Sequence, residues 1–490
     1  MAPDFYITNK YIYYLDRKGE KMKKPNLLFV FADQWRRDAM GFMKKDQVFT
    51  PNIDKFAQEA LSFDNAISAC PLCSPNRATM FTGKYPISHG VWTNCKNGVD
   101  EVYLRENEIT LMDVLKNNGY VTGYIGKWHL DLPDANKEDE PKSGARNWDA
   151  YTPPGKRRHG VDYWYSYGAY DNHMHPHYWH DSEKMINVDQ WSVEHETDRA
   201  LEFIDRNRDN SFALILSWNP PHTPLDLIPQ KYVDMYKDKK LTPNKNVILT
   251  GVSDHTGAVN PKLNFTDEEF QDVMKKYFAA VTGVDENFGR LIEKLKKDGI
   301  YDDTIIVLTA DHGEMLCGHR LWSKHVWYEE SVGIPFLIKY GDRFIKGRTD
   351  NILNGVDIMP TLLSLMGLPI PESVQGTDLK EVILHGDKIE NYAIIAAYPG
   401  QLGAIKSFKD KNESNLAYGW RGVRDKKYTY VINRGYNPDY GVERLLYDNV
   451  KDPEQMNPIR IEKPEENEIA NKFEKILRDW AKKYNDSFKF

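Results

Sequence analysis

No apolar run in the 490-residue chain approaches the ~18 residues that cross a bilayer. A helical membrane span, and a membrane partner, are therefore not expected. The first residues, MAPDFYITNKYIYYLDRKGEKMKK, lack an apolar stretch ahead of a small-residue cleavage site, so they do not read as a secretory leader. The expected location is cytoplasmic, or outside the cell with an export signal absent from this sequence. Cysteine is scarce: Cys70, Cys73, Cys95 and Cys317 are too few for a disulfide framework. Taken singly, each reads as a small buried hydrophobe. A surplus of positive charge is also missing. The net charge of −7 disfavours a nucleic-acid partner, so any anion site must be built locally. There is no internal repeat and no low-complexity tract. What is present, 41% hydrophobic and 28% charged residues, suits a chain that buries a sizeable core in one large and one smaller domain.

The apolar pattern predicts an α/β protein. NLLFVFA (26–32), VTGYIGKWHL, FALILSW and TIIVLTA are short apolar runs of the kind buried on both faces of a sheet. TPNIDKFAQEALSF, LMDVLKNNGY and ALEFIDRN read as helices. From Thr266 a long helix opens with the capping box Thr266–Glu269 and ends at Gly299. Beyond about residue 385, GWRGVRDKKYTYVINR reads as two strands about a turn, and NEIANKFEKILRDWAKKY as an amphipathic closing helix. The expected organisation is an N-terminal extension (1–24), a catalytic domain (25–385) and a C-terminal α+β subdomain (386–490). Polar clusters follow four strands: Asp33-Gln34, Lys127-Trp128-His129, Pro221-His222 and Asp311-His312. Ligands bind outside the carboxyl ends of strands in open α/β sheets, so these clusters mark the expected site.

CPLCSPNRATMFTG (70–83) poses the central question. A thioredoxin-type pair belongs near the start of a small βαβ domain, which this is not. A zinc site needs further Cys or His at ligand spacing, and Cys95 and Cys317 do not supply it. The remaining feature is Cys73-Ser74-Pro75-Asn76-Arg77 followed by Thr82-Gly83. It resembles the C-x-P-x-R signature of the type I sulfatases, in which the cysteine is oxidised to formylglycine. Asp33-Gln34, Gly126–His129, Pro221–Pro224, Asp311–Glu314, Lys324, VDIMPTLL and LLYDNVKDPEQMNP extend the resemblance from about Pro25 to Pro458.

The resemblance implies the alkaline phosphatase-like fold: a central mixed sheet between helices with a smaller C-terminal α+β subdomain. It also implies a sulfate monoester as substrate, a divalent cation and formylglycine-generating machinery as a partner. Asp33, Gln34, Asp311, His312 and residue 73 would hold the cation. Oxygen donors suit Ca2+; with Gln34 and His312 where many members have Asp and Asn, Mn2+ or Mg2+ also fits. Arg77, Lys127 and Lys324 would supply positive charge, with His129 and His222 as donors. In the implied mechanism a hydroxyl of the hydrated aldehyde attacks sulfur. His222 and Lys324 protonate the leaving alcohol, and His129 takes the proton of the second hydroxyl as sulfate departs. Arg77 would fix residue 73.

Phosphonate monoester and phosphodiester hydrolases, close relatives with similar metal residues, are the alternative. Lys127 and His129, two apart at a strand end and so expected to point the same way, favour the sulfatase. A carbohydrate-binding relative without activity would have lost charged positions, and none is missing. The overall resemblance is to carbohydrate sulfatases, with a 6-O-sulfated amino sugar of a glycosaminoglycan or mucin glycan as the leading substrate. The aromatic stretch DYWYSYGAYDNHMHPHYW reads equally as a sugar platform or a loop packed on the core. GKRRHG reads as a basic rim or a solvated run. His173, His175 and His177 are not expected to meet at a metal.

Overall fold

The computed structural model describes residues 24–133, 147–252 and 262–490, with the backbone of two short strands, Tyr6–Thr8 and Tyr11–Tyr13. Most of the expected N-terminal extension lies outside the described residues. The central sheet has eight strands: β1 Asn26–Ala32, β2 Leu61–Ile67, β3 Val121–Lys127, β4 Tyr163–Tyr167, β5 Phe212–Trp218, β6 Thr304–Ala310, β7 Phe336–Lys339 and β8 Gly347–Asn354. Their spatial order is β8-β2-β7-β6-β1-β5-β3-β4. All neighbours run parallel except β7, which is antiparallel to β6 and β2. Every residue of β1, β5 and β6 is buried, as a parallel sheet covered on both faces requires.

Two adjacent residues of β3 show the layering. The ring of Tyr124 lies 6.2 Å from Phe81 of helix α1 (Cys73–Thr82). A Cβ at Gly123 would meet Phe203 of helix α2 (Ser192–Asn207) at 2.7 Å. Successive strand residues face opposite sides, so helices cover both. Helix α3, Asp267–Lys297, packs on α2 and begins with the expected capping box. Among the described residues no helix is long and apolar enough to cross a membrane.

A second sheet follows: β9 Ala393–Ala397, β10 Trp420–Arg424, β11 Tyr428–Asn433, β12 Glu443–Asp448 and β13 Ile459–Arg460, antiparallel throughout in sequence order. One face packs on helix α5 (Glu468–Tyr484) through Val423, Tyr430, Phe473 and Leu477. The other packs through Trp420, Val431 and Leu445 on Trp327 and Val332, just after Lys324. Helix α4, Leu402–Asp410, lies between β9 and β10.

Two expectations change. The helix expected through ALSF stops at Ala57, and LSFDNAI is the strand β2. Pairing with β8 and β7 outweighs its incomplete apolar pattern. The aromatic stretch is not a platform. Tyr163–Tyr167 forms β4, and Trp164, Tyr165, Tyr167, Tyr178 and Trp179 are buried.

Candidate active site

The strands β6, β1, β5 and β3 lie side by side and point the same way, which brings the four polar clusters to one sheet edge. Ala32 pairs with both Ala310 and Trp218, so the next residues on each strand emerge level. The chain leaves these strands by unusual turns. Gln34 and His129 have positive φ, 65° and 53°. Non-glycine residues seldom occupy that region outside functional sites. Gly126, at φ 97°, has no room for a side chain, since a Cβ would sit 2.1 Å from the Ser217 carbonyl oxygen. That close backbone approach sets Lys127 against the end of β5. The strand ends at Lys127, so the left-handed turn, not strand alternation, brings His129 to the same site. Between them Trp128 is buried, stacked on Phe81 at 6.0 Å.

Cys73 is the first residue of α1, a helix buried at all ten positions. Its Sγ lies 3.3 Å from His312 Nε2 and 3.5 Å from Asp33 Oδ1. Asp33, Cys73, Asp311 and His312 place one ligand atom each within 4.8 Å of one another. Arg77, one turn along α1, is fully buried and clamps both carboxylates: Nε donates to Asp311 Oδ2 at 2.9 Å and Nη2 to Asp33 Oδ2 at 3.0 Å. Its Nη1 donates to Lys127 O and Ser217 Oγ. Arg77 therefore orients the carboxylates that face residue 73. Lys127 Nζ lies 2.7 Å from Asp33 Oδ2 and donates to Asn219 Oδ1 at 3.0 Å.

This arrangement fits a divalent cation. In each carboxylate Oδ2 is taken by cationic side chains, while Oδ1 turns toward His312 Nε2, at 3.3 Å for Asp33 and 3.7 Å for Asp311. Burial disfavours a charged imidazole, but Asp311 and Asp33 hold the His312 pKa up, to about 10. Burial and Asp33 raise the Asp311 pKa; Asp33 itself is kept ionised against burial by Lys127, His222, His312 and Arg77. Gln34 reaches the cluster through its backbone N–H, which donates to Asp311 Oδ1 at 3.1 Å. Its carboxamide oxygen accepts from Lys324 Nζ.

At Cys73, burial and Asp33 favour the thiol, yet Lys324, Lys127 and His312 together bring its pKa well below the usual value. Burial alone pushes Cys70 the other way, against a minor pull from Arg421. The two cysteines of C-x-x-C thus sit in opposite environments.

His129 Nε2 is 3.1 Å from the Cys95 carbonyl, which can only accept, so Nε2 carries the proton. Its Nδ1 is buried without a partner and is the open basic atom. Burial lowers its pKa, with partial opposition from Cys73. His222 Nδ1 donates to its neighbour's carbonyl at 2.7 Å and lies 3.5 Å from Asp171, leaving Nε2 for other work. Lys324 sits in a loop where Leu316, Cys317, His319, Arg320, Ser323 and His325 all have positive φ.

Several contributors had no role assigned from the sequence. Glu314 ties the loop together: Oε1 accepts from Leu316 N and Ser323 N, and Oε2 from Gln34 Nε2. Asn219 positions Lys127. Within the motif, Ser74 Oγ donates to the His129 carbonyl, and Asn76 Nδ2 to the Asp311 carbonyl. His173, His175 and His177 do not converge; they meet His222 O, Asp189 and Asp149 respectively. GKRRHG makes no basic rim. Arg157 pairs with Asp131, and Arg158 is buried over Trp164.

A cysteine at a buried helix start, a carboxylate-imidazole cluster and lysines at the edge of a mixed α/β sheet suit the hydrolysis of an anionic ester. Residues 25–368 match the Sulfatase family, and residues 317–483 match the C-terminal region of N-sulphoglucosamine sulphohydrolase. The chain belongs to the sulfatase family and is a sulfuric ester hydrolase. It is 32% identical to an endo-4-O-sulfatase of Bacteroides thetaiotaomicron, over 96% of this chain and 94% of the relative. It is 34% identical to an ulvan-active sulfatase of Formosa agariphila, over 95% of this chain and 83% of that protein. The crystal structure of the sulfatase-like yidJ of Bacteroides fragilis superposes with a TM-score of 0.84 at 35% identity, covering 96% of this chain and 99% of that one.

Proposed function

We propose that the enzyme hydrolyses sulfate monoesters of a sulfated carbohydrate, using residue 73 as its nucleophile after conversion to formylglycine. The observation that supports this best is the placement of Cys73 against Asp33 and His312, with the Lys127 ammonium on Asp33 and the Lys324 ammonium on the neighbouring Gln34. Asp33, Asp311 and His312 would hold a divalent cation, Ca2+ foremost, together with residue 73, and Gln34 would join them through its carboxamide oxygen, which Lys324 Nζ holds in this structure. Such a cation polarises the S–O bonds of the ester. Lys127 and Lys324 bind sulfate oxygens, each having donors beyond those used within the protein. Arg77 keeps Asp33 and Asp311 aimed at the cluster. His222, through Nε2, and Lys324 stand as proton donors to the leaving alcohol. His129 Nδ1, unprotonated and unpartnered, receives the proton from the hydroxyl of residue 73 as sulfate leaves.

The relatives named above, an endo-4-O-sulfatase and an ulvan-active sulfatase, support a sulfated saccharide. Within that class the 6-O-sulfated amino sugar stands beside a 4-O-sulfated one. A panel of N-acetylhexosamine 4- and 6-sulfates and their disaccharides, scored for free sulfate, tests this reading. Release from the 6-sulfates in preference to the 4-sulfates is expected. No release from any saccharide by enzyme converted at residue 73 would overturn the carbohydrate reading.

A further inference from the structure

A groove of about 520 Å3 opens beside His129, within the size range of small-ligand sites. Its walls are Lys96, Asn97, Trp148, Gln401, Leu402 and Gly403, so the first half of the catalytic unit and helix α4 share it. It adjoins the reacting centre at two points. The carbonyl of Cys95, one residue before Lys96, holds His129 Nε2. The ring of Trp148 stands edge-to-face with His129 at 6.2 Å. Trp148 is 43% exposed, whereas the aromatic rings of β4 are packed away.

Lys96 is the unusual residue of this groove. It is only 6% exposed, yet among the described residues it pairs with no carboxylate. Its one described partner is the face of Trp148, 5.3 Å from Nζ. Burial lowers its pKa, and no charged neighbour offsets that effect. Buried ammonium groups are normally paired, because desolvation without compensation is costly. Burial, and after it the charge of Lys96, lowers the pKa of His325, which is 5% exposed and whose Nε2 has no hydrogen-bond partner. A buried cation without a carboxylate partner thus lines a groove that adjoins His129.

We infer that this groove binds the saccharide beyond its scissile sulfate, and that Lys96 recognises a second anionic group on it, a carboxylate or a further sulfate. Trp148 presents a face on which a sugar ring can lie, and Lys96 completes its charge pair only when such a substrate arrives. The inference rests on the sulfatase reading of the site.

The test compares kcat/KM for three substrates: an N-acetylhexosamine monosulfate, the same sugar carrying a second sulfate, and the monosulfate linked to a hexuronic acid. Wild-type enzyme should favour at least one dianionic substrate by roughly 30-fold or more, the scale of one desolvated charge pair. The favoured one identifies the anion. Lys96→Gln should collapse that ratio toward one through KM, and Lys96→Arg should keep part of it. Raising salt should shrink the wild-type ratio only weakly, since a buried pair is poorly screened. A wild-type ratio of one or below overturns the inference without any variant, as does a ratio that survives Lys96→Gln. Sulfate release with no such preference would remove this inference alone; no release from any ester would remove the sulfatase reading beneath it.

Discussion

Cys73→Ala should lower sulfate release by roughly 10^4- to 10^6-fold, the scale seen when a covalent nucleophile is deleted. The expectation follows from where the side chain sits. It lies at the first turn of a buried helix, 3.3 Å from His312 and beside the low point of the local proton balance set by Lys324 and Lys127. Cys73→Ser is more informative. A serine can attack sulfur, but its single oxygen leaves no second hydroxyl from which to expel sulfate. That variant should release the alcohol once and stall as a sulfated protein. Mass spectrometry of the peptide spanning residue 73 should show sulfur replaced by oxygen in active wild-type preparations. An active enzyme with an intact thiol there would contradict the nucleophile assigned above.

Removing the divalent cation should cost about 10^3-fold or more, equivalent to ~4 kcal/mol of transition-state stabilisation. Chelation should act reversibly, with activity restored by Ca2+. Asp311→Asn should lose activity permanently: it keeps the size of the side chain and one acceptor for the backbone N–H groups of Gln34 and His312, but puts an NH2 donor in place of the oxygen that accepts from Arg77. A second readout separates metal binding from catalysis. Ligand binding to the native state raises the melting temperature by mass action, so Ca2+ should stabilise the wild type and leave Asp311→Asn unmoved. Full turnover by metal-free protein would rule out the cation.

Where the chain buries a strand on both faces, its sequence says so. NLLFVFA, FALILSW and TIIVLTA are unbroken apolar runs, and the polar pairs that follow them mark the ends where the site forms. β2 and α1 were harder, for opposite reasons. Asp64 and Asn65 interrupt β2 because that stretch is only partly buried beside β8. Helix α1 is buried on every side, so CSPNRATMFT has no amphipathic period to detect. The motif resemblance, not periodicity, pointed to that segment. The roles of side chains that act through others were not legible, even where the residue fell in a quoted stretch, as Glu314 did. Glu314 and Asn219 are ordinary polar residues until folding sets them against Gln34 and Lys127. Lys96 is one of 65 basic residues, and its lack of a carboxylate partner among the described residues exists only in three dimensions.

The proposed roles of Lys127 and His129 also predict a preference for sulfate over phosphonate esters. Lys127 is fixed by Asp33 and Asn219, and His129 keeps an open basic Nδ1 beside it. That pair suits an ester whose product leaves by proton-triggered elimination. The most direct measurement is kcat/KM for an aryl sulfate and the matched aryl phosphonate monoester, using enzyme converted at residue 73. The sulfate should be the better substrate, and His129→Ala should abolish repeated turnover of it. A preference for the phosphonate, or sustained native-rate sulfate turnover by His129→Ala, would contradict the account.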